Sequence, residues 1–235
     1  MSNSDGRGWG GLNTNRKELL HDIYDRLLAV FGPQHWWPAE SPFEVILGAI
    51  LTQNTAWKNV ATAIGNLRRH DLLSFERICA LSRDELANLI RSSGFYNEKA
   101  KKIKTFCQHI LTNWDGGLEH FLALDMERLR TDLLAIRGIG PETADSIILY
   151  AAFKPSFVVD TYTHRIFSRH GWVEESIAYE DLREFFMGAM DPDIQLFQEF
   201  HALLVRTGHL YCRRTALCNS CPLNVFLTTA FYIQK

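Results

Sequence analysis

The chain has 235 residues, of which 46% are hydrophobic and 22% charged, with a formal net charge of −2 and a pI of about 6.5. These values are typical of a globular protein with a sizeable core, and they exclude a histone-like or polybasic protein. They do not exclude a nucleic-acid binder with a local basic face, because binding depends on where the charges sit. Two of the five cysteines are isolated and three cluster near the C-terminus, which favours a metal site over a disulfide framework.

The N-terminal segment and the hydropathy of the chain bear on localisation. The first 15 residues lack the apolar stretch of a secretory signal, and their Gly, Ser and Asn content predicts a disordered leader over residues 1–14. No apolar run reaches the roughly 18 residues that a membrane span needs, so we expect no membrane partner. We therefore expect a cytoplasmic protein.

Helix start and stop signals recur along the chain, and no alternating strand pattern interrupts them. The first helix is predicted to begin at an Asn15 cap and to end at Gly32. The second runs from Phe43 to Thr52 behind a Ser41 capping box, and its apolar residues on nearly every side predict burial. Further helices are predicted over 56–70, 82–93, 97–113, 125–136, 141–153, 161–170, 178–190 and 193–207. The pattern predicts an all-α protein of about ten helices.

A glycine-rich turn between two predicted helices is the most informative stretch. One helix ends, Gly138-Ile139-Gly140 follows, and the next helix begins with Pro141. Glycines let backbone N–H groups approach a ligand closely, and the new helix adds the positive end of its dipole. Such a turn can bind a phosphate without a large basic patch. A plain helix–helix corner would show the same G-x-G pattern.

Asp160 lies 20 residues after Gly140, at the end of the apolar run Phe157 to Val159 and at the start of a predicted helix. An aspartate in this position is usually an N-cap. A capping carboxylate is also held rigidly, so the structural role is compatible with a catalytic one.

Four segments in this order resemble the helix–hairpin–helix–GPD superfamily of DNA glycosylases, in its endonuclease III branch. Residues 50–55, ILTQNT, are similar to the family's L-[ST]-x-Q-x-T, and residues 93–101, SGFYNEKAK, contain a match to G-[LFY]-[YF]-N-x-K-A. The glycine turn and the segment VVDTYTHR complete the series. The resemblance runs from about residue 16 to about residue 221.

The resemblance implies two all-α lobes with a DNA-binding cleft between them. Residues 15–40 and 154–211 would form one helical lobe, and residues 41–153 a barrel-like lobe that carries the hairpin. Residues 212–221 would form a cysteine loop, and residues 222–235 a tail. The implied partner is double-stranded DNA with a damaged base, and we expect a monomer.

The resemblance also implies a reaction. Family members flip a damaged nucleotide out of the duplex and cleave its N-glycosidic bond, which would make Asp160 the catalytic carboxylate. Members that also cleave the strand carry a lysine two residues after the second hairpin glycine, where this chain has Glu142. A carboxylate cannot form a Schiff base with the sugar, so we expect a monofunctional glycosylase.

A tryptophan pair before the second helix bears on the substrate. Trp36-Trp37-Pro38, together with Glu142, resembles the 3-methyladenine DNA glycosylase III (MagIII) subgroup, and indole faces stack well on a cationic alkylated base. This predicts release of alkylated bases, chiefly 3-methyladenine, although paired tryptophans are often core residues. An endonuclease III-like glycosylase/lyase for oxidised pyrimidines, uracil or mismatched bases and a non-catalytic DNA-lesion binding module are the alternatives. The predicted base pocket comprises Trp36, Trp37, Pro38, Phe43 and Glu142.

By the same resemblance, Gln53 would fill the gap left by the flipped base and Phe95 would wedge into the opposite strand. A helix-end cap for Gln53 and a core position for Phe95 are the structural alternatives. The lysines at 99, 101, 102 and 104 would add phosphate contacts or form a solvated face. The predicted DNA-binding set is Gln53, Phe95, Asn97, Lys99, Gly138, Gly140 and Thr143.

The C-terminal cysteines follow the pattern Cys212-x5-Cys218-x2-Cys221. It resembles the family's [4Fe–4S] loop, in which four cysteines hold the cluster. No cysteine follows Cys221, although a fourth would be expected near Leu227. A loop without metal and a zinc site completed by His209 are the alternatives.

Overall fold

The computed structural model describes residues 12–227, which divide between two compact units. The terminal unit contains the chain up to Trp36 and from Phe157 onwards, and the central unit is Trp37–Ser156. Within the described range the chain forms helices and no strand, apart from one isolated bridge between Cys212 and Ala216. The all-α prediction is confirmed.

The central unit contains α2 to α9, and the terminal unit contains α1 and α10 to α12. In chain order the helices are α1 (Leu12–Phe31), α2 (Pro42–Leu51), α3 (Trp57–Arg69), α4 (Phe75–Ala80), α5 (Arg83–Leu89), α6 (Tyr96–Asn113), α7 (Gly117–Ala123), α8 (Met126–Ala135), α9 (Pro141–Tyr150), α10 (Thr161–Arg169), α11 (Tyr179–Met187) and α12 (Ile194–Leu210). Short 3-10 helices cover Arg91–Ser93, Cys218–Ser220 and Pro222–Phe226. Within residues 12–227, no helix has the length and apolarity needed to cross a bilayer.

The second helix is the core element of the central unit. Every residue of α2 from Phe43 to Leu51 is buried, as its apolar sequence predicts. Ser41 caps it, with its hydroxyl accepting a hydrogen bond from the Glu44 backbone N–H at 3.2 Å. The buried Glu44 carboxylate lies 2.6 Å from the Arg68 guanidinium, so the one acidic side chain of α2 is neutralised in place.

A buried ion pair joins α8 to α9, the two helices of the glycine turn. Arg130 binds the fully buried Asp145 through two hydrogen bonds, Nε–Oδ1 at 3.0 Å and Nη2–Oδ2 at 3.1 Å. The Ser156 hydroxyl donates to the same Oδ1 at 2.6 Å. This forked arrangement fixes how the helices on either side of the turn meet.

An aromatic core organises the terminal unit. Phe157 stacks on Phe186 with ring centroids 3.9 Å apart, and meets Phe197 and Phe200 edge-on at 5.5 and 5.8 Å. These rings bind the segment before Asp160 to α11 and α12. Asp160 therefore follows directly on a closely packed part of its unit.

The structure differs from the predicted elements at several places. Helix α1 begins at Leu12, inside the predicted leader, rather than at an Asn15 cap, and residues 1–11 lie outside the described part. Helices α4 and α7 were not predicted, because six or seven residues are too few to display a helical period. The unit boundaries lie at 36/37 and 156/157, where the sequence suggested 40/41 and 153/154. The predicted tail forms a 3-10 helix up to Phe226, and residues 228–235 lie outside the described part.

Candidate active site and nucleic-acid interface

The glycine turn is built as the sequence predicts. Gly138 has φ +101°, a conformation that L side chains rarely adopt, while Gly140 is extended at φ −98° and ψ 177° and caps α9 ahead of Pro141. A Cβ at Gly140 would meet nothing within 4 Å, so the backbone is open on that side. The first N–H groups of α9 have no intrahelical partner, and the turn can therefore receive an anion.

Gln53 connects the end of α2 to this turn. Its Nε2 donates to the Gly138 carbonyl at 3.2 Å and to the Thr143 hydroxyl at 3.0 Å. Its Oε1 accepts a hydrogen bond from Lys102 Nζ. The structure thus brings together three residues of the predicted DNA-binding set, Gln53, Gly138 and Thr143, and adds Lys102 to them.

Phe95 is an exposed aromatic side chain rather than a core residue. It is 71% exposed and adopts the left-handed conformation (φ 44°, ψ 31°) as the N-cap of α6. A bulky residue in this region of φ/ψ is strained, and such strain clusters at binding sites. Asn97, two residues on, is also exposed.

Lys99 is misassigned in the predicted DNA-binding set. Its side chain is buried, and Nζ donates to the carbonyls of Leu51 at 2.8 Å and Ser93 at 2.6 Å. Burial, with a smaller effect of the Lys102 charge, lowers the pKa of Lys99 to about 8. Lys99 is inaccessible to phosphate and instead holds the end of α2 against the segment before α6.

The remaining lysines of this run are also mostly engaged with the protein. Lys104 Nζ donates to the Cys79 carbonyl at 2.5 Å and to the Leu81 carbonyl at 2.6 Å, at the C-terminal end of α4. Lys101 is exposed. The expectation of a phosphate-binding lysine face is therefore too broad, since the amines at 99, 102 and 104 already have protein acceptors.

The predicted base pocket is largely a packed cluster. Trp37 lies edge-on to Trp57 with centroids 5.3 Å apart, and a Cβ at Gly48 would approach its indole to 3.0 Å. Phe43 is 5% exposed and packs edge-on against Phe75 at 5.6 Å. A base cannot stack on a ring that is already covered, so Phe43 is a core residue and not a pocket residue.

The other predicted pocket residues are more accessible. Pro38 is exposed, and Trp36 is half-buried at the end of the first segment of the terminal unit. Glu142 is exposed in the first turn of α9, where the helix dipole favours a carboxylate.

Asp160 caps α10 in the terminal unit. Its Oδ1 accepts a hydrogen bond from the Thr163 backbone N–H at 2.7 Å, and the side chain retains 12% exposure. The second oxygen, Oδ2, lies 4.0 Å from His201 Nε2 on α12. One oxygen is thus used to fix the carboxylate, as the capping interpretation predicts, while the other adjoins a histidine that sequence reasoning missed.

His201 is almost completely buried. Burial lowers its pKa by more than the Asp160 charge raises it. The imidazole is therefore neutral at neutral pH.

Two arginines of α10 hold the cysteine loop. Arg165 donates to the Cys212 carbonyl at 2.6 Å. Arg169 donates to the carbonyls of Arg213 and Arg214, and its Nη1 lies 3.5 Å from Cys212 Sγ. The loop is thereby attached to the rest of its unit through guanidinium groups.

The three cysteines do not fit the cluster that the family resemblance suggests. They line a cavity of about 40 Å³, and Leu227 lines it where a fourth cysteine was expected. Cys218 is exposed, and no group of three or more His, Cys, Asp or Glu side chains within the described range could hold a metal ion. The arrangement therefore fits neither a [4Fe–4S] cluster nor a zinc ion completed by His209.

The chain is similar in sequence to proteins that are named as DNA repair enzymes. The chain is 46% identical to the "Putative DNA repair glycosylase" of Methanocaldococcus jannaschii over 92% of its length and 98% of that protein. It is 31% identical to endonuclease III of Sulfolobus acidocaldarius over 77% of this chain and 79% of that one.

Among solved structures, the H. pylori 3-methyladenine DNA glycosylase (MagIII) bound to 1,N6-ethenoadenine matches with a TM-score of 0.70 and 30% identity, over 83% of this chain and 97% of that one. A non-covalent endonuclease III–DNA complex matches in fold, with a TM-score of 0.76 and 21% identity over 93% and 99% of the two chains. The profile of the HhH-GPD superfamily matches residues 47–192, which contain the glycine turn and Asp160. The chain therefore belongs to the HhH-GPD superfamily of base excision DNA repair proteins.

Proposed function

We propose that this protein is a DNA N-glycosylase that flips an alkylated base, chiefly 3-methyladenine, out of double-stranded DNA and releases it by hydrolysis. The observation that carries the proposal is the position of the Asp160 carboxylate, which is oriented by the Thr163 N–H and lies beside the neutral His201. A sugar losing its base develops positive charge, and a fixed carboxylate stabilises that charge without reorganising. Asp160 also provides an acceptor that can orient the attacking water.

The central unit supplies the groups that would hold the opened duplex. The glycine turn receives a backbone phosphate, Phe95 offers an exposed ring that can insert between bases, and Gln53 offers an amide to the base left without its partner. Each group is placed by its own helix terminus. Flipping therefore requires no large basic surface.

Glu142 supports hydrolysis without strand cleavage. It occupies the position of the lyase lysine in the bifunctional members of the family, and a carboxylate cannot condense with the sugar aldehyde. The amine of Lys99 is buried on two carbonyls and is inaccessible to a sugar.

Two arguments support an alkylated base as the substrate: the weakness of its glycosidic bond and the similarity of this chain to a 3-methyladenine glycosylase. An N3-alkylated purine is cationic, so its glycosidic bond is weak and one carboxylate can provide sufficient catalysis. Likeness to the H. pylori 3-methyladenine glycosylase, at 30% identity, points to the same substrate class.

The first experiment incubates the protein with duplexes that carry 3-methyladenine, oxidised pyrimidines, uracil or a mismatch, and measures free base and strand nicking separately. We expect free base from the alkylated duplex and no nicking. Asp160→Asn should lose base release by at least about a hundredfold while retaining duplex affinity. Base release at the wild-type rate from that variant would remove Asp160 from the mechanism. Retained damage-selective affinity without base release from the wild-type protein would indicate a binding module instead.

The second experiment tests the absence of lyase chemistry. Borohydride reduces a Schiff base to a stable covalent bond, so it traps any lysine that attacks abasic DNA. We expect no trapped complex with the wild-type protein and a trapped complex with Glu142→Lys, which serves as the positive control. A trapped wild-type complex would contradict the monofunctional assignment.

A further inference from the structure

The Gln53 amide already uses both of its donor hydrogens and one of its two acceptor sites within the protein. Both Nε2 hydrogens are donated within the protein, one to the Gly138 carbonyl at 3.2 Å and one to the Thr143 hydroxyl at 3.0 Å. The Oε1 atom accepts from Lys102 Nζ. An oxygen of this kind has two lone pairs, so one acceptor site on Oε1 remains for an outside donor.

The three groups bonded to the Gln53 amide differ in whether they would tolerate exchange of its oxygen and nitrogen positions. The Thr143 hydroxyl can donate or accept and would tolerate a reversed amide. The Gly138 carbonyl can only accept and the Lys102 ammonium can only donate, so reversal would oppose two acceptors at one end and two donors at the other. Lys102 and Gly138 together therefore select one orientation.

Lys102 is itself held against the turn. A Cβ on Gly138 would lie 2.7 Å from Lys102 Cγ and 3.1 Å from Cδ, so the lysine stem fills the space that the glycine leaves. The stem contacts Gly138 while the amine binds Gln53, whose Nε2 returns to the Gly138 carbonyl. The three residues form a closed set of contacts in the central unit.

We infer that Lys102 is a positioning residue: it fixes the Gln53 amide so that Oε1, an acceptor, is presented to the base opposite the flipped nucleotide. The inference rests on the proposed function and extends it to the orphaned base. Thymine, the partner of a methylated adenine, offers one donor on its pairing edge, N3–H, which this acceptor suits. Lys102 thus acts through Gln53 rather than by pairing with a phosphate.

The test measures affinity for a duplex with a tetrahydrofuran residue opposite thymine, a probe that does not depend on which base the protein releases. Lys102→Met keeps the stem against Gly138 and removes the amine, and we expect roughly tenfold weaker binding. Lys101→Met removes the same charge from the exposed neighbour and reports the effect of charge alone. Lys102→Arg keeps a donor and should stay within about threefold of wild type. Thermal midpoints of all variants identify any loss of folding.

Two comparisons separate positioning from a direct phosphate contact. If Lys102 acts through Gln53, adding Lys102→Met to the Gln53→Ala protein causes no further loss of duplex affinity. In the otherwise wild-type protein, the loss of affinity caused by Lys102→Met then disappears when the nucleotide opposite the tetrahydrofuran residue also lacks a base. Additive losses in the double variant, or equal losses for Lys101→Met and Lys102→Met, would overturn the inference. Failure of the wild-type protein to release any base would overturn the proposed function, while this binding comparison would still decide the role of Lys102.

Discussion

Lys99 shows how a charged side chain can occupy an apolar position. Its stem lies in the core and its amine ends on two backbone carbonyls, those of Leu51 and Ser93. A neutral amine still has two N–H groups, so both hydrogen bonds survive deprotonation. Losing the proton therefore removes a buried charge at little structural cost, which is consistent with the lowered pKa of about 8.

The lowered pKa of Lys99 makes the free energy of unfolding depend on pH in the alkaline range. Between pH 8 and the ordinary lysine value of 10.5, the unfolded chain binds a proton at this residue that the native state has released, so the contribution of Lys99 to the free energy of unfolding rises with pH. The rise from this one group is up to about 3 kcal/mol. Urea unfolding of the wild-type protein and of Lys99→Met at about pH 7.5, 9 and 10.5 should show that the variant lacks this pH-dependent contribution. Lys101→Met, an exposed control, should retain the wild-type slope, and an unchanged slope in Lys99→Met would contradict the assignment.

The sequence predicts a site residue well when its contacts are with residues near it in the chain, and poorly when they are with distant residues. The Asp160 cap is local, since it binds an N–H three residues ahead, and the sequence predicts it correctly. The burial of Lys99 was also readable, because it shares helical spacing with Ile103, Phe106 and Ile110, all buried. The bond from Lys102 to Gln53 spans 49 residues, and no local pattern signals it. His201 lies beside Asp160 only because α10 packs on α12.

At the scale of elements, the glycine turn contains two glycines that are needed for different reasons. Gly138 has a positive φ and its missing side chain makes room for the Lys102 stem, whereas Gly140 has an ordinary φ and open space. The sequence predicts the turn but cannot assign these reasons, because the first depends on a lysine from α6.

The two glycines should therefore respond differently to alanine. Gly138→Ala should lower the free energy of unfolding by about 1–2 kcal/mol, from the left-handed backbone alone. Gly140→Ala should change it by less than about 0.5 kcal/mol, yet weaken duplex binding by placing a methyl group where a phosphate would approach. Urea titration and a binding assay on both variants provide the measurements. Equal destabilisation by the two substitutions would show that the turn is not strained at Gly138.

At the scale of the whole molecule, buried ionisable groups set an optimum of stability above neutrality. Burial lowers the pKa of both His170 and His201, so below pH 6.5 the unfolded chain takes up protons that the native state excludes, and stability falls. Burial raises the pKa of the Cys107 and Cys221 thiols, so above pH 9 the unfolded chain loses protons that the native state keeps, and stability falls again. Lys99 acts in the opposite direction over part of that alkaline range.

We therefore expect the urea midpoint to be highest near about pH 8–9 and to fall steadily towards pH 5.5. His201→Gln should flatten the acid side, because the replacement cannot take up a proton. His209→Gln, at an exposed position, should leave the acid side unchanged. A midpoint that is highest below pH 7 would contradict this account.

The discontinuous terminal unit has a consequence for synthesis on the ribosome. Helix α1 buries Leu20, Ile23 and Leu27, and its Tyr24 meets Phe200 of α12 at 5.6 Å, but the whole central unit of about 120 residues is translated between them. At typical elongation rates, synthesis of the central unit alone takes roughly 6–24 s. The central unit is contiguous and can complete its core during this time, while the apolar face of α1 waits without α12. We therefore expect the apolar face of the nascent α1 to stay exposed until the later helices of its unit have been synthesised.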